Sequence, residues 1–362
     1  MQHTRSRLAV AARIVGFVLL GIVIAAAAFI AVLTVREYRP AGREAAWTGS
    51  SANAQPEQGE QIEQITVLSF NIGYAGLGQE SDFFMDGGKM TRPASAQIVE
   101  KNLDGILELL QTYAPDVALL QEVDAAGKRV YGIDERARLS DAFAGEAAFA
   151  PNYVCDYVPY PLPDTIGRVE SGLLTLSRFS STEQTRIALP VPFQWPVRIA
   201  NLKRCLLLTR VPLAGTDAEL VLINLHLEAY DDGEGKREQT EQLVQLLQQE
   251  YEAGNYVIAG GDFNQRIEGF GNNYPIIDPS FWQPGAISQD VLPAGWNFAF
   301  NDETPTCRLL NKPYDAEDPD TQYYVIDGFL CSPNVTVERV SVVDAGFAFS
   351  DHNPVLLQCR LS

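Results

Sequence analysis

The feature that most constrains this chain is a recurring unit, a short aliphatic or β-branched run bounded by turn formers. Nine such runs follow position 64: ITVLSF (65–70), VALLQ (117–121), GLLTLS (172–177), CLLLTRV (205–211), LVLINLHL (220–227), YVIAGGDF (256–263), YYVIDGFL (323–330), TVERVSVV (336–343) and PVLLQCRL (354–361). Their length and composition predict strands. Two segments carry a helical period. In Ala94–Tyr113 it is marked by Val99, Leu103, Ile106, Leu110 and Tyr113, and in Gly235–Tyr251 by Leu243, Leu246, Leu247 and Tyr251. Many strands with few helices between them predict an α/β fold of two sheets packed face to face, with helices outside. The stretch from Trp282 to Pro319 is rich in Pro, Gly and Asn and reads as a long loop.

Ahead of this domain lies an uncharged apolar run, Ile14 to Val35, long enough to cross a hydrocarbon core as one helix. A secretory signal peptide has a shorter apolar stretch and a small-residue cleavage site. The chain therefore divides into a tail (1–13), a transmembrane anchor (14–35), a flexible linker rich in Ala, Gly, Ser, Gln and Glu (36–63), and a globular domain (64–362). Arg5, Arg7 and Arg13 before the anchor balance Arg36, Arg39 and Arg43 after it. Orientation then rests on the order of elements. A short tail before a large domain is the usual signal-anchor layout, which predicts a single-pass membrane protein with its domain outside the cytoplasm.

The formal charge of -19 argues against a broad basic groove for nucleic acid. It does not exclude a phosphate substrate, because a bound divalent cation inverts the local field. The five cysteines form no CxxC pair, which argues against a zinc ribbon. Buried free thiols are the default, with a Cys307–Cys331 bridge open as an alternative.

Chemistry-bearing residues gather at strand ends. Asn71 ends ITVLSFN, Glu122 ends VALLQE, and His226 lies in LINLHLEA. Asp262 and Asn264 end VIAGGDFN, Asp327 lies in YYVIDGFL, and Asp351 and His352 open SDHNPVLL. Oxygen donors so placed can converge at one sheet edge and suit Mg²⁺ or Mn²⁺ rather than zinc. Of three histidines, His3 is in the tail and the other two, His226 and His352, fall in these clusters. A His–carboxylate pair fixes the ring tautomer and stabilises its charged form.

The ordered series SFN, LLQE, SGLLTLSR, NLHL, GDFN, IDG and SDHNPV, from about Ile65 to Leu361, resembles the endonuclease/exonuclease/phosphatase superfamily. The resemblance implies a four-layer sandwich of two mixed β-sheets flanked by helices, and a divalent metal, usually Mg²⁺. It implies that Glu122 is the principal metal ligand, with Asn71 beside it and Asp351 completing or relaying the shell. Asp262 would orient and deprotonate the attacking water, and Asn264 would hold a phosphate oxygen. His352, paired with Asp327, would polarise the phosphoryl group or shuttle a proton. His226 would bind phosphate or protonate the leaving oxygen. Arg178, in LSR, matches a basic position of the deoxyribonuclease branch and would neutralise transition-state charge, although a surface ion pair would also account for it. Gly328 stands where relatives commonly carry an aromatic residue.

The substrate stays open between nucleic acid and a phospholipid headgroup, with an inactive phosphate-binding domain as a third reading; a monomer is expected. Two segments bear on the choice. PVPFQWPVRIANLKR (190–204) mixes aromatic and basic residues, which could stack a base, rest on a lipid headgroup layer, or form an ordinary amphipathic hairpin. Tyr153, Tyr157 and Tyr160 could wall the cleft or simply pack.

Overall fold

The computed structural model describes residues 2–50 and 62–362. The chain opens with α1 (Gln2–Val35), β1 (Arg43–Ala45), β2 (Trp47–Ser50), β3 (Gln64–Asn71), α2 (Ala96–Tyr113), β4 (Val117–Asp124) and α3 (Glu135–Ala142). It continues through β5 (Glu146–Val158), β6 (Gly167–Ser177), β7 (Glu183–Ala188), β8 (Cys205–Pro212), β9 (Glu219–His226), α4 (Glu234–Glu252) and β10 (Tyr256–Asp262). It closes with β11 (Gln265–Ile267), β12 (Gly285–Ile287), β13 (Asn297–Ala299), β14 (Cys307–Arg308), β15 (Tyr323–Tyr324), β16 (Asp327–Cys331), β17 (Val335–Val342) and β18 (Val355–Leu361).

Two mixed seven-stranded sheets result, ordered β1-β7-β8-β9-β10-β16-β13 and β17-β18-β3-β4-β6-β5-β2. Alternation along the strands explains their packing. Ile65, Val67, Val117 and Leu119 of the second sheet meet Leu220, Leu222, Ile258 and Phe329 of the first. The intervening residues Leu68, Phe70, Ala118 and Leu120 face Val99, Leu103 and Ile106 of α2. Val221, Ile223 and Leu225 face Leu243 and Leu247 of α4. Strands apolar on both faces thus give four layers, helix–sheet–sheet–helix, as expected.

Strand direction decides what shares an edge. β3 and β4 are parallel, as are β9 and β10, so Asn71, Glu122, His226 and Asp262 all emerge at one edge. β16 runs antiparallel to β10 and β18 antiparallel to β3, so Asp327 and the loop carrying Asp351 and His352 return to that edge. At Gly261 a Cβ would lie 1.9 Å from the Leu225 carbonyl oxygen; only glycine permits so close an approach of β10 to β9.

Several expectations need correction. The predicted linker is not a free tether over its first half: β1 pairs with β7 and β2 with β5, one strand on an edge of each sheet. Main-chain pairing at an edge needs no apolar period, so polar composition hid these strands. The rest of that linker, 51–61, lies outside the described residues. β5 was not foreseen because Pro151 and Asn152 interrupt its pattern, and the sheet accommodates them at a register shift. YYVIDGFL splits into β15 and β16. The segment 190–204 is not a hairpin but an irregular stretch with a single 3-10 turn at Val197–Ala200. All five cysteines are free and buried.

Candidate active site

The site begins with a row across three neighbouring strands, His226 opposite Asp262 and Asp262 opposite Asp327. Asp262 is its centre. Its Oδ2 lies 3.4 Å from His226 Nε2 and 3.8 Å from His352 Nε2, and accepts a 3.0 Å hydrogen bond from Asn71 Nδ2. Its Oδ1 accepts one from the Asn264 backbone N–H at 2.8 Å. Burial, and then the Asp327 charge, push its carboxyl up to about 7 against the opposing pull of His352 and the two asparagines.

His352 Nδ1 lies 2.9 Å from Asp327 Oδ2. Burial works against charging this ring, yet the Asp327 carboxylate outweighs it and raises the imidazole well above its ordinary value. His226 goes the other way. Burial, then the charges of Arg204 and His352, hold it well below its ordinary value, so it is neutral, and its Nδ1 is buried without a partner. Two histidines a few ångströms from one carboxylate are thus held in opposite charge states. Gly328 leaves no gap: Phe300 fills the space a side chain there would take.

The second sheet adds Asn71 and Glu122. A register shift between Leu120 and Val123, with Glu122 in left-handed backbone (φ 54°), turns this residue out of the ladder. Asn264, across the site, is also left-handed (φ 50°). Such backbone in non-glycine residues costs energy and is concentrated at functional sites. Asp351 is pushed up to about 6, by burial first and partly by the Glu122 charge, with His352 opposing. Close carboxylates that repel one another are what a hard cation would relieve, so half-buried Glu122 and buried Asp351 fit the implied metal. Asn71 fits less directly, because its Nδ2 faces Asp262 and Glu122 while its Oδ1 accepts from Gly73 N–H. Cys307 is also within reach of Asp351 and His352, but burial pushes its thiol up to about 12 and it stays protonated.

Of the nine residues singled out in the sequence, Asn71, Glu122, His226, Asp262, Asn264, Asp351 and His352 line one cavity of about 420 Å³, and Asp327 stands behind His352. Arg178 is the correction. It follows β6, which is antiparallel to β4, and so emerges beside Val117 at the opposite edge, exposed and 3.8 Å from Asp116. The surface ion pair accounts for it. Cations the sequence reading missed are Arg308 and Arg129, the latter with its guanidinium gripping Asp124 through two hydrogen bonds and lying over the Tyr74 ring at 3.7 Å. Nothing in the local pattern marks Arg129; only the fold brings it to the cavity wall. Asp86 and Tyr230, hydrogen-bonded at 3.2 Å, and Trp282 were missed for the same reason. Tyr153 lines the cavity, whereas Tyr157 and Tyr160 lie outside it.

A two-sheet sandwich with a His–Asp–Asp row facing Glu122 and Asp351 is the kind of site a phosphoester hydrolase uses. The chain matches the sequence profile of the Endonuclease/Exonuclease/phosphatase family over residues 68–352 and belongs to that family, whose members typically depend on a divalent metal. Among solved structures, it is similar to the endonuclease/exonuclease/phosphatase from Beutenbergia cavernae DSM 12333 (18% identity, TM-score 0.58, 83% of this chain and 72% of that one). It is also similar to an endonuclease/exonuclease/phosphatase family protein from Leptotrichia buccalis C-1013-b (14% identity, TM-score 0.52, 82% of this chain and 99% of that one). At these identities the likeness speaks for the fold. No curated protein sequence matches the chain.

Proposed function

We propose that the chain is a Mg²⁺- or Mn²⁺-dependent phosphoesterase that hydrolyses a phosphodiester or phosphomonoester by in-line attack of water activated by Asp262. The observation that carries this reading is the single buried carboxylate of Asp262 between two histidine Nε2 atoms, at 3.4 and 3.8 Å, the second of them on a ring bonded through Nδ1 to Asp327. A base whose pKa is near 7 is matched to neutral pH, and a positioned acid or base contributes roughly 10²–10⁴-fold. Asp262 takes the water proton as its oxygen bonds to phosphorus. His352, kept charged by Asp327, offers the Nε2 proton to the leaving oxygen and steadies the equatorial charge. His226, being neutral, serves as a hydrogen-bond donor to a phosphate oxygen rather than as the acid. Asn264 gives one amide N–H to the Leu227 carbonyl and has another for the phosphate. Glu122 and Asp351, with Asn71 beside them, would hold the cation, which supplies charge neutralisation on the phosphoryl group when bound.

Helix α1 carries a span, Val10–Val35, of mean hydropathy 2.9 that is long and apolar enough to cross a membrane. We place the chain in a membrane as a single-pass protein, with the domain outside the cytoplasm as the order of elements predicts. The test is hydrolysis of bis(p-nitrophenyl) phosphate by the detergent-solubilised full chain, with Mg²⁺ and with EDTA. Turnover that needs the metal is expected; undiminished turnover in EDTA would refute the proposal.

A further inference from the structure

The apolar helix does not leave the domain on a loose cord. Its last turns pack against it. The Phe29 ring meets Tyr157 edge-on at 5.9 Å, Leu33 is buried, and Thr34 Oγ1 accepts a 3.1 Å hydrogen bond from Trp195 Nε1. Immediately beyond, Glu37 is gripped by Arg39, Arg198 and Lys203, and Arg36 pairs with Asp156. β1 and β2 then fasten the same strap to both sheets. The attitude of the domain to the helix is set by these contacts.

Around this junction stand the most exposed large apolar side chains outside the helix among the described residues: Leu162 (80% exposed), Tyr160 (61%), Val197 (58%) and Trp195 (54%). They belong to the loop after β5 and to the irregular segment 190–204. Ile166 of the first packs in one apolar cluster with Ala200 and Leu202 of the second, and Tyr153 of β5 donates its Oη to the Ala200 carbonyl at 3.1 Å. The same segments build the mouth of the cavity. Ile166, Phe193 and Leu202 line it, and the Phe84 ring meets Tyr160 edge-on beside it at 5.4 Å. Arg36, Arg39, Arg92 and Arg198 stand on this face, each paired with a carboxylate of Asp156, Glu37 or Asp164, so that guanidinium groups lie beside the exposed rings without a net basic patch. Trp, Tyr and Arg at the end of an apolar helix are the composition of a membrane–water interface, where ring and guanidinium reach polar headgroups while apolar parts stay in hydrocarbon. Isolated exposed apolar residues need no explanation, but a group continuous with a membrane-length helix does.

We propose that this face sits on the headgroup layer of the bilayer that α1 crosses, and that the active-site cavity opens to that layer, so that its substrate is a lipid-borne phosphoester. The substrate part rests on the phosphoesterase reading above; the membrane seating does not. The cavity of about 420 Å³ suits a compact headgroup.

The test uses the full chain in phosphatidylcholine vesicles whose lipids are brominated high on the acyl chain. Bromine should quench tryptophan emission, and Trp195→Phe should remove most of that quenching. Equal quenching in wild type and Trp195→Phe overturns the seating. In a second arm, vesicles carry sphingomyelin and phosphoinositides and headgroup release is followed. The triple variant Tyr160→Ser/Leu162→Ser/Trp195→Ser should release headgroup roughly tenfold more slowly or worse, with hydrolysis of soluble bis(p-nitrophenyl) phosphate unchanged. Leu162→Ser alone, at the most exposed position, gives the same direction if the triple variant folds poorly. Cleavage of plasmid DNA with no headgroup release overturns the lipid assignment. No turnover of either bis(p-nitrophenyl) phosphate or p-nitrophenyl phosphate with Mg²⁺ or Mn²⁺ overturns the phosphoesterase reading, while quenching still decides the seating.

Discussion

The floor and the rim of the cavity are built differently. The floor is made of strand ends. Its side chains are buried and held by short contacts, and their charges are set by one another: Asp262 by four polar neighbours, His352 by Asp327. The rim is made of loops and irregular segments, is largely apolar, and is exposed. Strands hold geometry to fractions of an ångström, which bond-making needs; loops vary freely, which selectivity needs. Chemistry and choice of partner are therefore separable in this molecule.

The sharpest way to break that separation is to alter the floor. His352→Ala and Asp262→Ala should each abolish measurable turnover on every substrate, a loss of roughly 10²–10⁴-fold or more, with the fold retained, although His352→Ala also lowers the thermal midpoint because Asp327 is left buried without its partner. Near-wild-type kcat in either variant would dissolve the distinction. The wall between floor and rim should respond in stability. Arg129→Met leaves Asp124 buried without its partner and should lower unfolding free energy by about 3–5 kcal/mol, read by denaturant titration.

A pH scan of the metal-free protein sharpens the account of the floor. Asp262 and Asp351 have folded values of about 7 and about 6 against an ordinary 3.8. Raised acids favour the folded state while protonated. Their stabilisation is complete below the ordinary value and is lost as pH rises through 6 to 7. Thermal midpoints should fall across that range, and Mg²⁺ should restore more at alkaline than at acid pH. A smaller effect is expected at the cavity wall near the rim. Tyr230→Phe removes the hydroxyl bonded to Asp86 and should change KM by about 2–10-fold with kcat nearly constant. The smallest is expected at Arg178→Ala, on the far edge, with kcat/KM unchanged and stability within about 0.5 kcal/mol.

Much of the floor was legible in the chain because strands carry their own signal. Apolar runs with a polar terminus mark Asn71, Glu122, His226 and Asp262 before any coordinate is known. The misreadings share a cause. β1 and β2 lie on sheet edges, where pairing needs backbone alone and leaves no apolar period. Arg178 follows an apolar strand as convincingly as Glu122 does, and only the antiparallel direction of β6 sends it to the other edge. Arg129, Asp86 and Trp282 lie in loops, where residue type says little about which cavity a side chain will reach.

The sequence by itself determined the alternation of strands and helices, the membrane-length helix and most of the polar groups that line the cavity floor, because local periodicity and residue chemistry are properties of short segments. Tertiary structure alone decided which strand ends share an edge, which histidine is charged, and that the strap after α1 is pinned to both sheets. These depend on strand direction, burial and the proximity of groups far apart in the chain, and no local pattern encodes them.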